Sequence, residues 1–126
     1  MWDPKKQARE RNEKLRGWIL YFLYKARPHP MELASVRDLL DQRNFPLTRR
    51  RLAEELDYLR SLRLVDIFPS GAVAVIDQVS QAKYLQRYAD TDSDEDLGLA
   101  LYCRITTAGI NFQDGVNDLD GIKRVD

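Results

Sequence analysis

The segment from Ser35 to Leu62 constrains the chain most, because it carries two helical patterns one tight turn apart. Ser35 reads as the cap of a helix over Val36–Arg43, with Asp38 placed in the first turn where the helix dipole favours a negative charge. Val36, Leu39 and Leu40 form its buried stripe, and Asn44-Phe45-Pro46-Leu47 reads as the turn. Thr48 then caps a longer helix over Arg49–Leu62, whose buried face is Leu52, Leu56, Leu59 and Leu62. Two helices so joined, the second the longer, predict a helix-turn-helix.

Upstream, Asp3-Pro4 is a helix start signal, and Lys5–Ala26 reads as one long helix. Leu15, Trp18, Ile19, Phe22 and Leu23 make one apolar stripe, but Leu20, Tyr21 and Tyr24 lie off it. A helix apolar nearly all round needs cover on more than one side. A second copy of the chain is the expected cover, which makes Trp18, Leu20, Tyr21 and Tyr24 candidate homodimer residues. The charged stretch 1–14 is expected to be a solvated helical extension. Arg27-Pro28-His29-Pro30 ends the helix, and Met31–Ala34 reads as an extended link.

Downstream, Leu64–Phe68 and Ala72–Ile76 read as strands around the turn Pro69-Ser70-Gly71. Leu97–Thr106 reads as a further strand, with Leu99, Leu101, Cys103 and Ile105 on one face and Tyr102 and Arg104 on the other. Gln78–Ala89 fits a helix through Val79, Ala82, Leu85 and Ala89, and also fits the strand of a long wing. Its Gln and Ala content and scarcity of β-branched residues favour the helix. Asp90–Asp96 holds five acids in seven residues and reads as a solvated loop; it lacks the central glycine and final glutamate of a calcium-binding EF-hand loop. Thr107–Phe112 reads as a short helix and 113–126 as an irregular tail, laid across a partner.

These elements predict a single α+β domain over 1–126, mainly α. Its expected form is a winged helix-turn-helix with a long N-terminal helix, a three-helix core and an enlarged β-wing containing an insertion over 69–98. Apolar residues at 44% supply a modest core, and the longest apolar run, Trp18–Tyr24, is too short to span a membrane. One cysteine permits no internal disulfide, which fits a cytoplasmic protein. No catalytic motif, metal cluster or cofactor-binding pattern stands out, so the chain reads as a non-enzyme without metal or cofactor. His29 and Cys103 read as structural.

What chemistry remains is electrostatic. Residues 1–63 hold 15 Lys/Arg against 9 Asp/Glu, and 64–126 hold 5 against 11, although the whole chain is neutral. A basic half suggests a surface for double-stranded DNA; the other reading is attraction between the two halves. Thr48, Arg49, Arg50 and Arg51 open the third helix, where a helix-turn-helix protein approaches the major groove, and Tyr58, Arg60 and Arg63 extend that surface. Lys5, Lys6, Arg9, Arg11 and Lys14 are candidates for flanking backbone contact. Against this, Glu54 and Asp57 share the outer face of that helix, and Arg50 and Glu54 stand at i, i+4.

Leu64-Val65, Arg104-Ile105-Thr106-Thr107-Ala108-Gly109, Gly115 and Gly121-Ile122-Lys123-Arg124 together resemble small winged-helix proteins encoded in Mu-like prophages. Ile105-Thr106-x-x-Gly109 matches the element that ends their wing, and Gly121-Ile122-x-Arg124 matches their tail. The first element is also similar to that of multiple-antibiotic-resistance and PadR-like regulators. The likeness spans Gly17–Arg124, except that Pro69–Gly98 is much longer than a wing hairpin. It implies a winged-helix fold in the cytoplasm of a bacterial host. The expected function is a DNA-binding transcriptional regulator or DNA-associated accessory factor, or, in the alternative, a protein–protein interaction module that does not touch DNA.

Overall fold

The computed structural model describes residues 2–72 and 74–125. Met1, Val73 and Asp126, which belong to the expected extension, second strand and tail, lie outside the described residues. The chain is α+β and mainly helical. Its elements are α1 (Pro4–Ala26), β1 (Met31–Glu32), α2 (Leu33–Gln42), α3 (Arg49–Ser61), β2 (Val65–Pro69), α4 (Gln78–Asp90), α5 (Asp94–Leu97), β3 (Leu101–Ile105) and α6 (Thr107–Gln113).

Local chemistry sets most of the boundaries. The Asp3 carboxylate accepts from the backbone N–H of Lys5, Thr48 from Arg51 and Asp77 from Ser80, each satisfying an orphan donor of a first helical turn. Helix α2 starts earlier than expected, at Leu33 rather than Val36. The short strand β1 delivers the chain directly into the helix, so Ser35 lies inside the first turn instead of capping it. Asn44 (φ 67°) ends α2 in the left-handed conformation, with Phe45 N–H donating to Leu40 and Asn44 N–H to Asp41. Phe45 packs into the core at this point, which fixes the turn. Arg63 (φ 61°) closes α3 in the same way, with Leu64 N–H donating to Leu59. Leu62 therefore sits on the cap and is 40% exposed, not on the buried face expected of it.

The sheet is antiparallel in the order β1-β3-β2, with Met31 opposite Cys103, Val65 opposite Ile105, and Ile67 opposite Cys103. Val65, Ile67, Leu101, Cys103 and Ile105 face the core, while Asp66, Phe68, Tyr102 and Arg104 face outward, as the alternation predicts. Strand β3 begins at Leu101 because Asp94–Leu97 winds into α5 and Gly98 (φ 84°) ends it. Described residues 72 and 74–76 form no strand. The interval between β2 and β3 is thus not an enlarged β-wing: it is filled by α4 and α5, and Gln78–Ala89 is helical.

Helix α4 lies on α3 and on β2. Leu85 and Tyr88 are buried there, and so is Gln81, whose carboxamide does the work of a missing strand. Gln81 Oε1 accepts from Ile67 N–H (2.8 Å), and its Nε2 donates to the Ile76 carbonyl (2.9 Å) and to Asp66 (3.3 Å). An edge strand offers unpaired N–H groups, and this side chain closes one of them.

The two motifs near the end of the chain have packing roles. Thr106 accepts from Gly109 N–H to cap α6 and donates its hydroxyl to the Arg63 carbonyl, tying α6 to the end of α3. A Cβ on Gly109 would stand 2.4 Å from the Leu64 carbonyl oxygen. The tail is irregular, as expected, but it lies across its own α1 rather than a partner. Lys123 N–H donates to the Glu13 carbonyl (3.0 Å), Arg16 donates to the Gly121 carbonyl (2.9 Å), and Ile122 is buried. Arg124 donates to the Phe112 carbonyl (2.7 Å), satisfying the exit of α6.

This packing changes the reading of α1. Leu20 is fully buried within the protomer, so it is a core residue and no candidate for a dimer surface. Trp18, Tyr21 and Tyr24 are half-buried against the same core. Tyr24 also donates to the Asp114 carboxylate beside α6. The second side of α1 is covered by α6 and the tail, within one chain. Gly17 makes this possible: a Cβ there would stand 1.8 Å from the Lys123 carbonyl oxygen. Gly17→Ala is expected to force the tail off α1, costing roughly 2 kcal/mol through overpacking. Urea denaturation measures the loss, and protease cleavage within 118–125 reports the freed segment.

Candidate nucleic-acid interface

The first turn of α3 carries the expected contact residues, and Thr48 caps it as predicted. The arginines that follow do not project into solvent together. Arg49 is only 11% exposed. Its guanidinium lies over the Tyr88 ring at 3.7 Å from the centroid, and Nε donates to the carbonyls of Tyr88 (3.2 Å) and Thr91 (2.9 Å). Its two terminal nitrogens reach Asp94 (3.1 Å) and the Thr91 hydroxyl (3.2 Å). The side chain thus gathers acceptors at the end of α4, where the Tyr88 carbonyl also accepts from Thr91.

Arg51 bridges to Glu55 (2.7 Å) and Glu54 (3.5 Å) and donates to Asn12 on α1 (2.7 Å). Glu55 is buried and also holds Arg16 at 2.6 Å, so one carboxylate joins α1 to α3. Arg60 binds Asp57 (2.8 Å) and Gln78 at the start of α4 (2.8 Å). Tyr58 lies beneath the Arg16 guanidinium, 4.0 Å from its ring centroid, and donates to the Asp120 carbonyl. Arg50 is the most open of the set, at 59% exposure, yet it too is paired, with Asp90 at 3.0 Å. The anticipated Arg50–Glu54 pair does not form; Glu54 turns to Arg51. Lys5, Lys6, Arg9, Arg11 and Lys14 lie apart from this cluster, on the exposed first half of α1.

The acidic run is therefore more than a solvated loop. Asp90 ends α4 and holds Arg50, Ser93 caps α5, and Asp94 holds Arg49. Hydrogen bonds from Gln86 and Arg50 keep the Asp90 carboxyl below its ordinary range. Between α3 and α4 runs a cleft of about 270 Å³, floored by Ala53, Ala82, Leu85 and Ala89 and rimmed by Arg50, Glu54, Asp57 and Gln86. A phosphate backbone approaching this side of α3 meets the rim carboxylates and the body of α4. Sequence reasoning missed Arg49's partners because they stand 39 to 45 residues away. The usable signal was the acidic run itself, read as a set of counter-charges.

Cys103 is a buried free thiol on β3, and burial pushes its pKa up to about 12. Its folded-state pKa is raised, so its contribution to stability is complete below the ordinary thiol range near 9 and is lost as pH rises toward 12. At pH 8 a thiol reagent is expected to label Cys103 only at the rate of unfolding, measured by adding denaturant. His29 is exposed in the turn after α1. Among the described residues no cluster of three or more His, Cys, Asp or Glu could hold a metal, and no helix is long and apolar enough to cross a membrane. Comparison with protein-family models, with curated proteins and with solved structures gives no match.

The burial of these arginines makes opposite predictions for two neighbours. Arg49→Ala is expected to cost about 2 kcal/mol or more, since several charge-assisted hydrogen bonds vanish together. Hydrogen exchange should then rise over 85–94. Arg50→Ala removes one exposed pair and should change stability by less than about 0.5 kcal/mol.

Proposed function

We propose that the chain is a winged-helix module, of the kind its Ile105-Thr106-x-x-Gly109 and Gly121-Ile122-x-Arg124 elements resemble, and that it acts by contact with another protein. The element order and the β1-β3-β2 sheet support the winged-helix reading. The observation that carries the functional reading is the enclosure of Arg49 by Tyr88, Thr91 and Asp94. A recognition helix must offer its first turn to the major groove. To free Arg49 for that contact, α4 would have to leave α3 and uncover Leu85 and Tyr88, whose burial alone is worth roughly 3–6 kcal/mol. A domain's whole stability is only roughly 5–15 kcal/mol, so the displacement competes with unfolding. The groove-facing charge is also mixed, with Glu54, Asp57 and Asp90 beside the arginines. Fold alone leaves function open; the state of these side chains favours protein contact over base readout.

The test is an anisotropy titration of labelled mixed-sequence duplex DNA at low salt. The expected result is no binding that depends on α3, with Arg50→Ala and Arg60→Ala both indistinguishable from wild type. Tight, salt-dependent duplex binding that Arg50→Ala weakens would restore the DNA-reading alternative.

A further inference from the structure

Arg63, at the end of α3, is exposed and makes no ion pair, and a larger group of cations without ion pairs lies on α1 and at the end of α2. Positions 7, 11, 14, 18, 21 and 25 recur at alternating intervals of four and three, so Gln7, Arg11, Lys14, Trp18, Tyr21 and Lys25 line one face of α1. Each is exposed or half-buried, and α6 and the tail cross α1 on another side, at Glu13, Gly17 and Tyr24. Arg43, from the end of α2, joins this face by lying over the Trp18 ring at 4.5 Å. Arg11 lies over Phe45 at 4.7 Å, and Lys25 stands 5.6 Å from the Tyr21 centroid.

Arg11, Lys14, Lys25 and Arg43 make no ion pair among the described residues, whereas Arg49, Arg50, Arg51 and Arg60 on α3 are all paired. The acids nearest in sequence, Glu10 and Glu13 on α1 and Asp41 on α2, make no ion pair with them, although Glu10 lines the same surface hollow as Gln7, Arg11, Lys14 and Phe45. The stripe from Gln7 to Lys25 is about 27 Å long at 1.5 Å per residue.

We propose that this stripe is a docking surface for an acidic amphipathic helix of a partner protein. Given the protein-contact reading, it supplies the surface and the chemistry of the partner. Four unpaired cations call for carboxylates. The three-four spacing on a continuous helix suits a second helix laid along it, with the rims of Trp18 and Tyr21 as apolar contacts between the charges. Single-stranded nucleic acid is disfavoured, because it would need open ring faces on which to stack. Trp18 and Phe45 already carry a guanidinium, and Trp18 meets Tyr21 edge-on, at 87° between ring planes. A second copy of α1 is disfavoured too. Antiparallel pairing centred on Trp18 sets Arg11 against Lys25 at both ends, and like charges so placed repel.

The experiment uses the full chain and four probes: a three-heptad helical peptide with a Leu/Ala stripe flanked by glutamates, the same peptide with lysines, oligo-dT, and a mixed-sequence duplex. Binding is read by probe anisotropy and by tryptophan fluorescence in a Trp2→Phe background. The acidic peptide is expected to bind with an affinity that falls as salt rises, and the lysine peptide is expected to be silent. The exposed double variant Lys14→Glu/Lys25→Glu, checked for an unchanged thermal transition, should weaken binding about tenfold, as two exposed ion pairs of ordinary strength imply. Arg43→Ala should weaken it as well.

The proposal is overturned if the acidic peptide does not bind, or binds the double variant equally well. It is also overturned if oligo-dT takes the same face, or if sedimentation shows a dimer that the double variant dissolves. Duplex binding lost on Arg50→Ala strikes instead at the protein-contact reading of α3, so the two failures are distinct.

Discussion

The guanidinium of Arg49 holds the last turn of α4 to the first turn of α3, and the character of the molecule follows from that contact. An arginine so enclosed is costly unless its donors are satisfied. Here they meet two carbonyls, a hydroxyl and a carboxylate, and the Tyr88 ring covers the cation. The contact closes the segment between β2 and β3 onto α3. It lays a helical layer on α3, and it makes Arg49, the first of three consecutive arginines, an internal joint. Gln81 fastens the other end of the same helix to β2, so α4 is secured at both ends by polar side chains and in the middle by Leu85.

Glu55 does comparable work on the opposite side of α3. Its carboxylate is shared by Arg16 and Arg51, and Arg16 goes on to the Gly121 carbonyl. Helix α1, helix α3 and the tail therefore meet at one buried charge. Around it, Gly17 lies too close to the Lys123 carbonyl to admit a Cβ, and Gly121 sits against Tyr58 in the left-handed conformation (φ 85°). That gives the glycine-containing tail a mechanical explanation independent of any ligand.

The opposite charges of the two halves of the sequence are partly spent inside the chain, since Arg49–Asp94 and Arg50–Asp90 both join the basic half to the acidic one. What is left over is spread over several elements, Arg63 at the end of α3 and Lys83 and Arg87 on α4 among them. The part interleaved with aromatic rings lies along the outer face of α1 and on Arg43.

The sequence by itself determined what depends on neighbours within about four residues. Caps at Asp3 and Thr48, the apolar stripes of α1 and α3, and the alternation from Leu101 to Ile105 were all legible, because hydrogen bonds and side-chain periods at that range are local properties. The helical character of α4 was legible too, though only from composition. Tertiary structure decided the rest. Whether α1 is covered by a second copy or by its own tail depends on Gly17 meeting Lys123, and whether Arg49 is free or enclosed depends on Tyr88, Thr91 and Asp94. Those contacts bridge stretches of 39 residues and more, and no periodicity records them. A charge in a sequence has a sign, but whether it is available to a partner is settled only by what the fold brings beside it.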